Sequence, residues 1–455
     1  MLIALACALL AAWSASAQQS KKPRPIPPKL CSHVILVTVN GLRADYQGEK
    51  YRREYPLPAL RALQTAGAAT RGIEGVYPTL GAPSHASILT GALPADHGVT
   101  AEFVFDEKTG APTTQSWISG HPIKGETLPR ALERAGLRAV SIGFLLPGTG
   151  VAQTDESQGV AAGKKQKPDE LAAALAEDER RVTAALAALA APAGRPNLLL
   201  LNLAALDAAH RRYGVFSAQA AATLAKIDAA LARLREGSAG MAGDMVMMVA
   251  APYGAAAVES EFRPGAALAR IKKKALEARN KKKKDKDKPE ELYLEWEAVV
   301  EPLGGAAAVY LQNPGDEAAV QAVEGIFQQL HAESNSPVWR ILDRRDIARL
   351  GADPRAILFL DAAPRFTMSG RRDGDVKSGA GIMAGQGYLP QRMEMHGVFA
   401  LAGKGIRPGA TLEYSRLIDL APTIARLLGV EMPSARGRVL SEALTDYEKN
   451  PNPKQ

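Results

Sequence analysis

His33-Val34-Ile35-Leu36-Val37-Thr38-Val39 is an unbroken run of apolar and β-branched residues. Such a short run, without polar alternation, suits a strand buried on both faces. Outward from it, similar runs recur between helical patterns. Leu57–Ala66 has helical spacing and stops at Gly67, Thr127–Ala135 is a second short helix, and Arg138–Ile142 is a strand. The Ala/Leu-rich helix Asp169–Ala191 leads to the strand Asn197–Leu203, and the helix Ser217–Arg235 leads to the strand Met245–Ala250. Ala307–Leu311, Ile357–Leu360 and Val398–Leu401 read as further strands, and Leu417–Leu428 as a helix stopped by Gly429. The alternation predicts an α/β fold with a mostly parallel central sheet and helices on both faces. Ligands of such sheets bind beyond the carboxyl ends of the strands, so the residues that follow each strand are the functional candidates.

The chain has 455 residues, 46% hydrophobic and 23% charged, enough for a sizeable core and unlike a disordered chain. Two cysteines exclude a disulfide scaffold and a cysteine-rich zinc module. Met1–Ala12 is almost wholly apolar, and Ala15-Ser16-Ala17 is a small-residue cleavage site. Residues 1–17 therefore read as a signal peptide, with an apolar run too short to span a bilayer, and predict a periplasmic or secreted protein. Cleavage would remove Cys7 and leave Cys31 as a lone thiol. Residues 18–32 are a Pro-rich linker, 33–445 the folded domain, and 446–455 a tail.

Three blocks follow the strands. The first strand runs into Asn40-Gly41-Leu42-Arg43-Ala44-Asp45. Then come Tyr77-Pro78-Thr79-Leu80-Gly81-Ala82-Pro83-Ser84-His85, Ile88-Leu89-Thr90-Gly91 and Pro94-Ala95-Asp96-His97-Gly98-Val99. Near the end stand Gly387-Tyr388-Leu389-Pro390, Met395-His396-Gly397-Val398-Phe399 and Ile418-Asp419-Leu420-Ala421-Pro422-Thr423. In this order the blocks resemble the type I phosphodiesterase/nucleotide pyrophosphatase branch of the alkaline phosphatase superfamily. The likeness runs from about His33 to Leu440. It implies an alkaline-phosphatase-like three-layer sandwich and two-zinc phosphoryl transfer from a threonine nucleophile. There, two metals clamp the charge that develops in an in-line displacement.

Carried over position by position, the resemblance leaves little of that site. The family's zinc-binding aspartate at the end of the first strand is Asn40 here, whose amide oxygen lacks charge. The nucleophile position, two before the proline of Pro83-Ser84-His85, is Gly81, which has no side chain to attack with. The phosphate-contacting asparagine is Glu102, which repels phosphate. In the Asp-Xaa-Xaa-Gly-His motif Asp207 survives, and the histidine position is Arg211. His210, one helical step away, is turned by about 100° and points elsewhere. Ser-Asp-His-Gly is replaced by Ala251-Pro252-Tyr253-Gly254, so Pro252 and Tyr253 stand at two former ligand positions, and the last histidine is Gln386. The flanking Gly, Pro and Tyr residues still match. The chain thus reads as a degenerate member, a pseudoenzyme with no cofactor expected, in which Arg211 replaces a zinc charge by pairing with Asp207.

Two alternatives stay open: an active phosphodiesterase with a divergent, single-metal site around Asp207, and an envelope scaffold. A rebuilt site from Asp207, His210 and His396 is a further option that nothing in the spacing demands. His85 and His97 lie in turn motifs and are expected to bond the backbone, while Asp419 and Thr423 read as helix N-terminal packing. The scaffold reading rests on a basic insertion at about residues 262–300. Arg270–Lys288 carries eleven Lys or Arg against three Asp or Glu, which accounts for the whole formal charge of +8. Arg270, Lys272, Lys273, Lys274, Lys281, Lys282, Lys283 and Lys284 are its candidate contacts to an anionic partner. The plainer reading is a solvated insertion, and the absence of interleaved aromatics argues against stacking on single-stranded nucleic acid.

Overall fold

The computed structural model describes residues 28–106, 111–116, 122–144, 152–153, 170–191, 194–269, 298–371 and 375–446. The signal-like segment, the basic stretch 270–297 and His121 lie outside them. The first strand, His33–Val39, sits in the middle of an eight-stranded sheet. Its neighbours Leu198–Leu203 and Met245–Ala250 run parallel to it, in register from Val34↔Leu198 and His33↔Met245. Ala139–Ile142 continues the parallel order. Phe399–Gly403 enters antiparallel on the far side of Met245–Ala250.

Alternate residues of the first strand enter two separate cores, as a strand covered on both faces must. Val34 and Leu36 pack with residues of the helices Gly81–Thr90, Leu128–Arg134 and Leu420–Leu428. Ile35, Val37 and Val39 pack with Pro58–Ala66, Glu170–Ala190, Ala205–Tyr213 and Ala218–Gly237. The helix ends follow local chemistry. Ser217 caps Ala218–Gly237 by accepting from the Ala220 amide, and Gly429, at φ +72°, ends Leu420–Leu428 in the left-handed region.

Ala307–Leu311 and Ile357–Leu360 do form strands, but not in the parallel sheet. They belong to a separate four-stranded antiparallel sheet, ordered Ala298–Leu303, Ala306–Leu311, Leu358–Ala362, Val338–Leu342. Here too the strand divides its residues. Ala307, Val309 and Leu311 meet Val323 and Phe327 of the helix Glu317–His331. Ala306, Ala308 and Tyr310 meet Tyr77, Leu80 and Leu389. The second sheet therefore buttresses the turn that leads into Gly81.

Candidate cleft at the strand ends

Three strand ends converge. Asn40 follows the first strand and donates its backbone N–H to Leu203 O at 2.9 Å. Gly41 donates to Tyr253 O at 3.2 Å. Gly41 has φ +82°, and a Cβ there would stand 3.1 Å from His210 Nδ1 and 3.7 Å from the Asp207 Cα. Only glycine both adopts that conformation readily and lets the Asp207 helix approach so closely. Asn40 Oδ1 is buried without a partner.

Asp207 and Arg211 lie one turn apart on Ala205–Tyr213, so they share a face. Arg211 Nη1 donates to Asp207 Oδ2 at 2.6 Å, the pairing expected from the sequence. Its Nη2 lies 3.5 Å from Glu170 Oε1. The Asp207 carboxylate holds the Arg211 guanidinium above its ordinary pKa, against the opposing cost of burial. Tyr253 is buried beside this group. Desolvation, then Asp207 and Glu102, push its hydroxyl well up. Pro252 is buried next to it, its carbonyl 3.3 Å from where a Cβ on Gly75 would stand.

Gly81 opens the ten-residue helix Gly81–Thr90. Glu102 Oε1 accepts from the Ala82 N–H at 3.2 Å and lies 3.0 Å from where a Cβ on residue 81 would stand. A carboxylate therefore sits on the free amides of a helix N-terminus, the place where helices receive anions. Burial raises the Glu102 pKa, while its bonds from the Ala82 and Gly81 amides oppose the rise. Ser84, one turn into the helix, keeps a buried Oγ without a partner. Gln386 is held through its backbone, its carbonyl accepting from Gly305 N at 2.8 Å.

The histidines take structural positions. His210 Nε2 is 2.8 Å from Tyr46 Oη. Tyr46 donates its own proton to Val215 O, so Nε2 is the donor and Nδ1 carries the lone pair. Desolvation, with Arg43 and Arg211 nearby, pushes His210 down to about 3. His97 Nδ1 accepts from Val99 N at 3.1 Å, and its Nε2 lies 2.9 Å from Ser87 Oγ. His85 differs from expectation: its Nε2 has no partner, and the ring lies against Phe144 with centroids 4.7 Å apart. His396 packs on Gly72, its Cβ 3.1 Å from where a Cβ there would stand. Asp207, His210 and His396 are thus not brought together. Asp419 Oδ2 and Oδ1 accept from Arg416 N and Arg438 N, both at 2.9 Å. Glu170 is the cleft residue that sequence reasoning missed.

Zinc needs several anionic or imidazole donors around one point. Among the described residues no three His, Cys, Asp or Glu side chains are grouped that way, and Asp207 is committed to Arg211. The residues present do not fit a zinc pair.

A parallel-centred sheet between two helical layers, with its cleft at the strand ends, defines an alkaline-phosphatase-like α/β protein. Solved structures of human and murine ectonucleotide pyrophosphatase/phosphodiesterase 5 share this fold. The human structure has a TM-score of 0.63 at 18% identity, covering 88% of this chain and 95% of its own. The murine one, inactive and in complex with AMP, also scores 0.63 at 18% identity, covering 89% and 97%. The family model for type I phosphodiesterase/nucleotide pyrophosphatase matches residues 34–352. The chain belongs to that family. Human ectonucleotide pyrophosphatase/phosphodiesterase family member 1 is 28% identical over 209 residues, 45% of this chain and 21% of the relative. Mouse family member 3 is 26% identical over 235 residues, 50% of this chain and 25% of the relative. The chain thus spans about a quarter or less of the length of these curated relatives.

Proposed function

We propose that this chain is an exported, non-catalytic member of its family that works by binding, its reaction cleft filled by its own charges. The observation that carries this is Glu102. Its carboxylate sits on the helix N-terminus at Gly81, 3.2 Å from the Ala82 amide, where a phosphate would need those amides. Gly81 offers no nucleophile, and the Arg211–Asp207–Glu170 group carries the charge balance a metal would otherwise supply. On this reading the chain needs no cofactor.

The experiment is metal analysis of the purified mature protein together with turnover of a chromogenic phosphodiester. The expected result is substoichiometric zinc and turnover at the background rate. Two equivalents of zinc with turnover would overturn the proposal. Export rests on Met1–Ala12 and Ala15-Ser16-Ala17, and agrees with its relatives being ectonucleotide pyrophosphatases. No helix among the described residues is long and apolar enough to cross a membrane. N-terminal sequencing of the exported protein should read from Gln18. The basic stretch Arg270–Lys288 is the proposed contact for an anionic partner, through the charge of its lysines.

A further inference from the structure

A cavity of about 300 Å³ is lined by none of Asn40, Gly81, Glu102, Asp207, Arg211, Tyr253 and Gln386, although its Gly75 packs against Pro252 of the cleft. It forms where the short strand pair Ile73–Glu74 and Ser415–Arg416 faces Val338–Leu342, the edge strand of the antiparallel sheet. Its lining is mixed and more polar than apolar: Leu342, Leu350 and Leu389 form its apolar part, and three guanidiniums line it, Arg340, Arg349 and Arg416.

The charges at this cavity are less fully paired than those of the molecule's tightest ion pairs. Arg211, Arg263 and Arg355 each hold a carboxylate at 2.6 Å. Around the cavity only Arg349 has such a partner, Asp346 at 2.8 Å. Arg416 reaches Asp419 no closer than 3.8 Å, and both Asp419 oxygens already accept backbone amides. The Arg340 side chain has no hydrogen bond or ion pair among the described residues, and its guanidinium lies 5.9 Å from the Trp339 ring centroid. Asp361 lies in its field but is bonded to Arg392. Glu74 is the one carboxylate in the lining. Its two oxygens accept from Gln391 Nε2 at 3.1 Å and Tyr414 Oη at 3.3 Å, which holds both side chains at the cavity. The three guanidiniums are partly to largely exposed, so water screens their mutual repulsion, and what they offer an anion is a set of donors on one concave surface. The planar fork of arginine suits a phosphate or carboxylate, and the volume is that of a small-ligand pocket.

We propose that this cavity binds a small organic anion, a ring-sized apolar body whose phosphate or carboxylate group is held by Arg340 and Arg416. The test is calorimetric titration of the full mature chain with phenyl phosphate, benzoate, inorganic phosphate and phenol. Phenyl phosphate or benzoate should bind, inorganic phosphate should bind more weakly, and phenol should not bind. Arg340→Gln/Arg416→Gln should weaken the bound anion by at least about tenfold, the loss expected of one charge-assisted hydrogen bond or more. Each single variant should give an intermediate loss. Arg233→Gln, far from the cavity in an exposed pair with Glu179, should change nothing. No binding of either aromatic anion at millimolar concentration, or equal binding by wild type and double variant, would overturn the proposal. Neither result bears on Glu102 or on turnover in the other cleft.

Discussion

The motif blocks and the strand-end cleft lie side by side, yet they settle their polar groups differently. In the blocks, main polar side chains close on the backbone. Thr79 Oγ1 donates to Tyr388 O at 2.9 Å and accepts from Gly387 N at 3.0 Å, tying the two blocks together. Asp419 accepts two backbone amides, and His97 accepts one. In the cleft, the main closure is between side chains, Arg211 with Asp207 and Glu170, and it is incomplete. Asn40 Oδ1, Ser84 Oγ and His210 Nδ1 have no partner at the cleft, and within the blocks Tyr77 Oη, His85 Nε2 and His396 Nε2 are left bare as well. A group closed on the backbone cannot change without leaving buried amides bare. A side-chain pair can be exchanged as a unit, because its two halves compensate each other alone. On the function proposed above, that difference lets the chemical positions depart from the family while the fold stays.

The comparison breaks first, and most visibly, on stability. Asp419→Ala should cost about 3–5 kcal/mol, since it strands two buried N–H groups and removes a fully buried carboxylate. Arg211→Ala should cost about 2–3 kcal/mol by leaving Asp207 uncompensated, while Asp207→Leu/Arg211→Met should stay within about 1 kcal/mol of wild type. Denaturant unfolding measures all three. If the paired replacement costs as much as Asp419→Ala, the two regions are not different in kind.

Acid titration sharpens the same contrast. Desolvation lowers His97 to about 3, against an ordinary value of 6.5. Between these values the unfolded chain binds a proton that the folded one refuses, so stability is full above pH 6.5 and falls as the pH drops. The slope is about 1.4 kcal/mol per pH unit, or about 2 kcal/mol by pH 5. Protonation would also cost the bond from Val99 N. His97→Gln should flatten the slope of unfolding free energy between pH 6.5 and 5 by that amount. An unchanged slope would mean that His97 is not held neutral by the block.

Much of this was readable in the chain, and what was not has physical causes. The double-faced burial of His33–Val39 follows from its lack of alternation, and the Asp207–Arg211 contact from a four-residue helical spacing. The antiparallel second sheet was not readable, because Ala306–Leu311 is as uniformly apolar as a central parallel strand. Apolar runs report burial on both faces, not the direction of the neighbour. Glu170 carries no motif, and reaches Arg211 only because two helices pack together. The seat of Glu102 on Gly81–Thr90 depends on the path of the intervening turn, which no local pattern encodes.

Glu102 also gives the smallest and most telling effect. Its carboxylate is pushed up by burial and pulled down by the amides of Ala82 and Gly81, so the helix end is served at some cost in desolvation. Glu102→Gln keeps an acceptor and removes the charge, and should shift stability by less than about 1 kcal/mol. Glu102→Ala instead vacates the amides, and a bare helix N-terminus attracts an anion. In the Arg340→Gln/Arg416→Gln background, which silences the other cavity, Glu102→Ala should gain millimolar binding of inorganic phosphate. Phosphate at ten times its dissociation constant would then stabilise the variant by about 1.4 kcal/mol, readable as a melting shift absent from the Glu102 parent. Equal phosphate binding with and without the carboxylate would mean that Glu102 does not fill the anion seat, and the cleft would have to be closed by Asp207 and Arg211 alone.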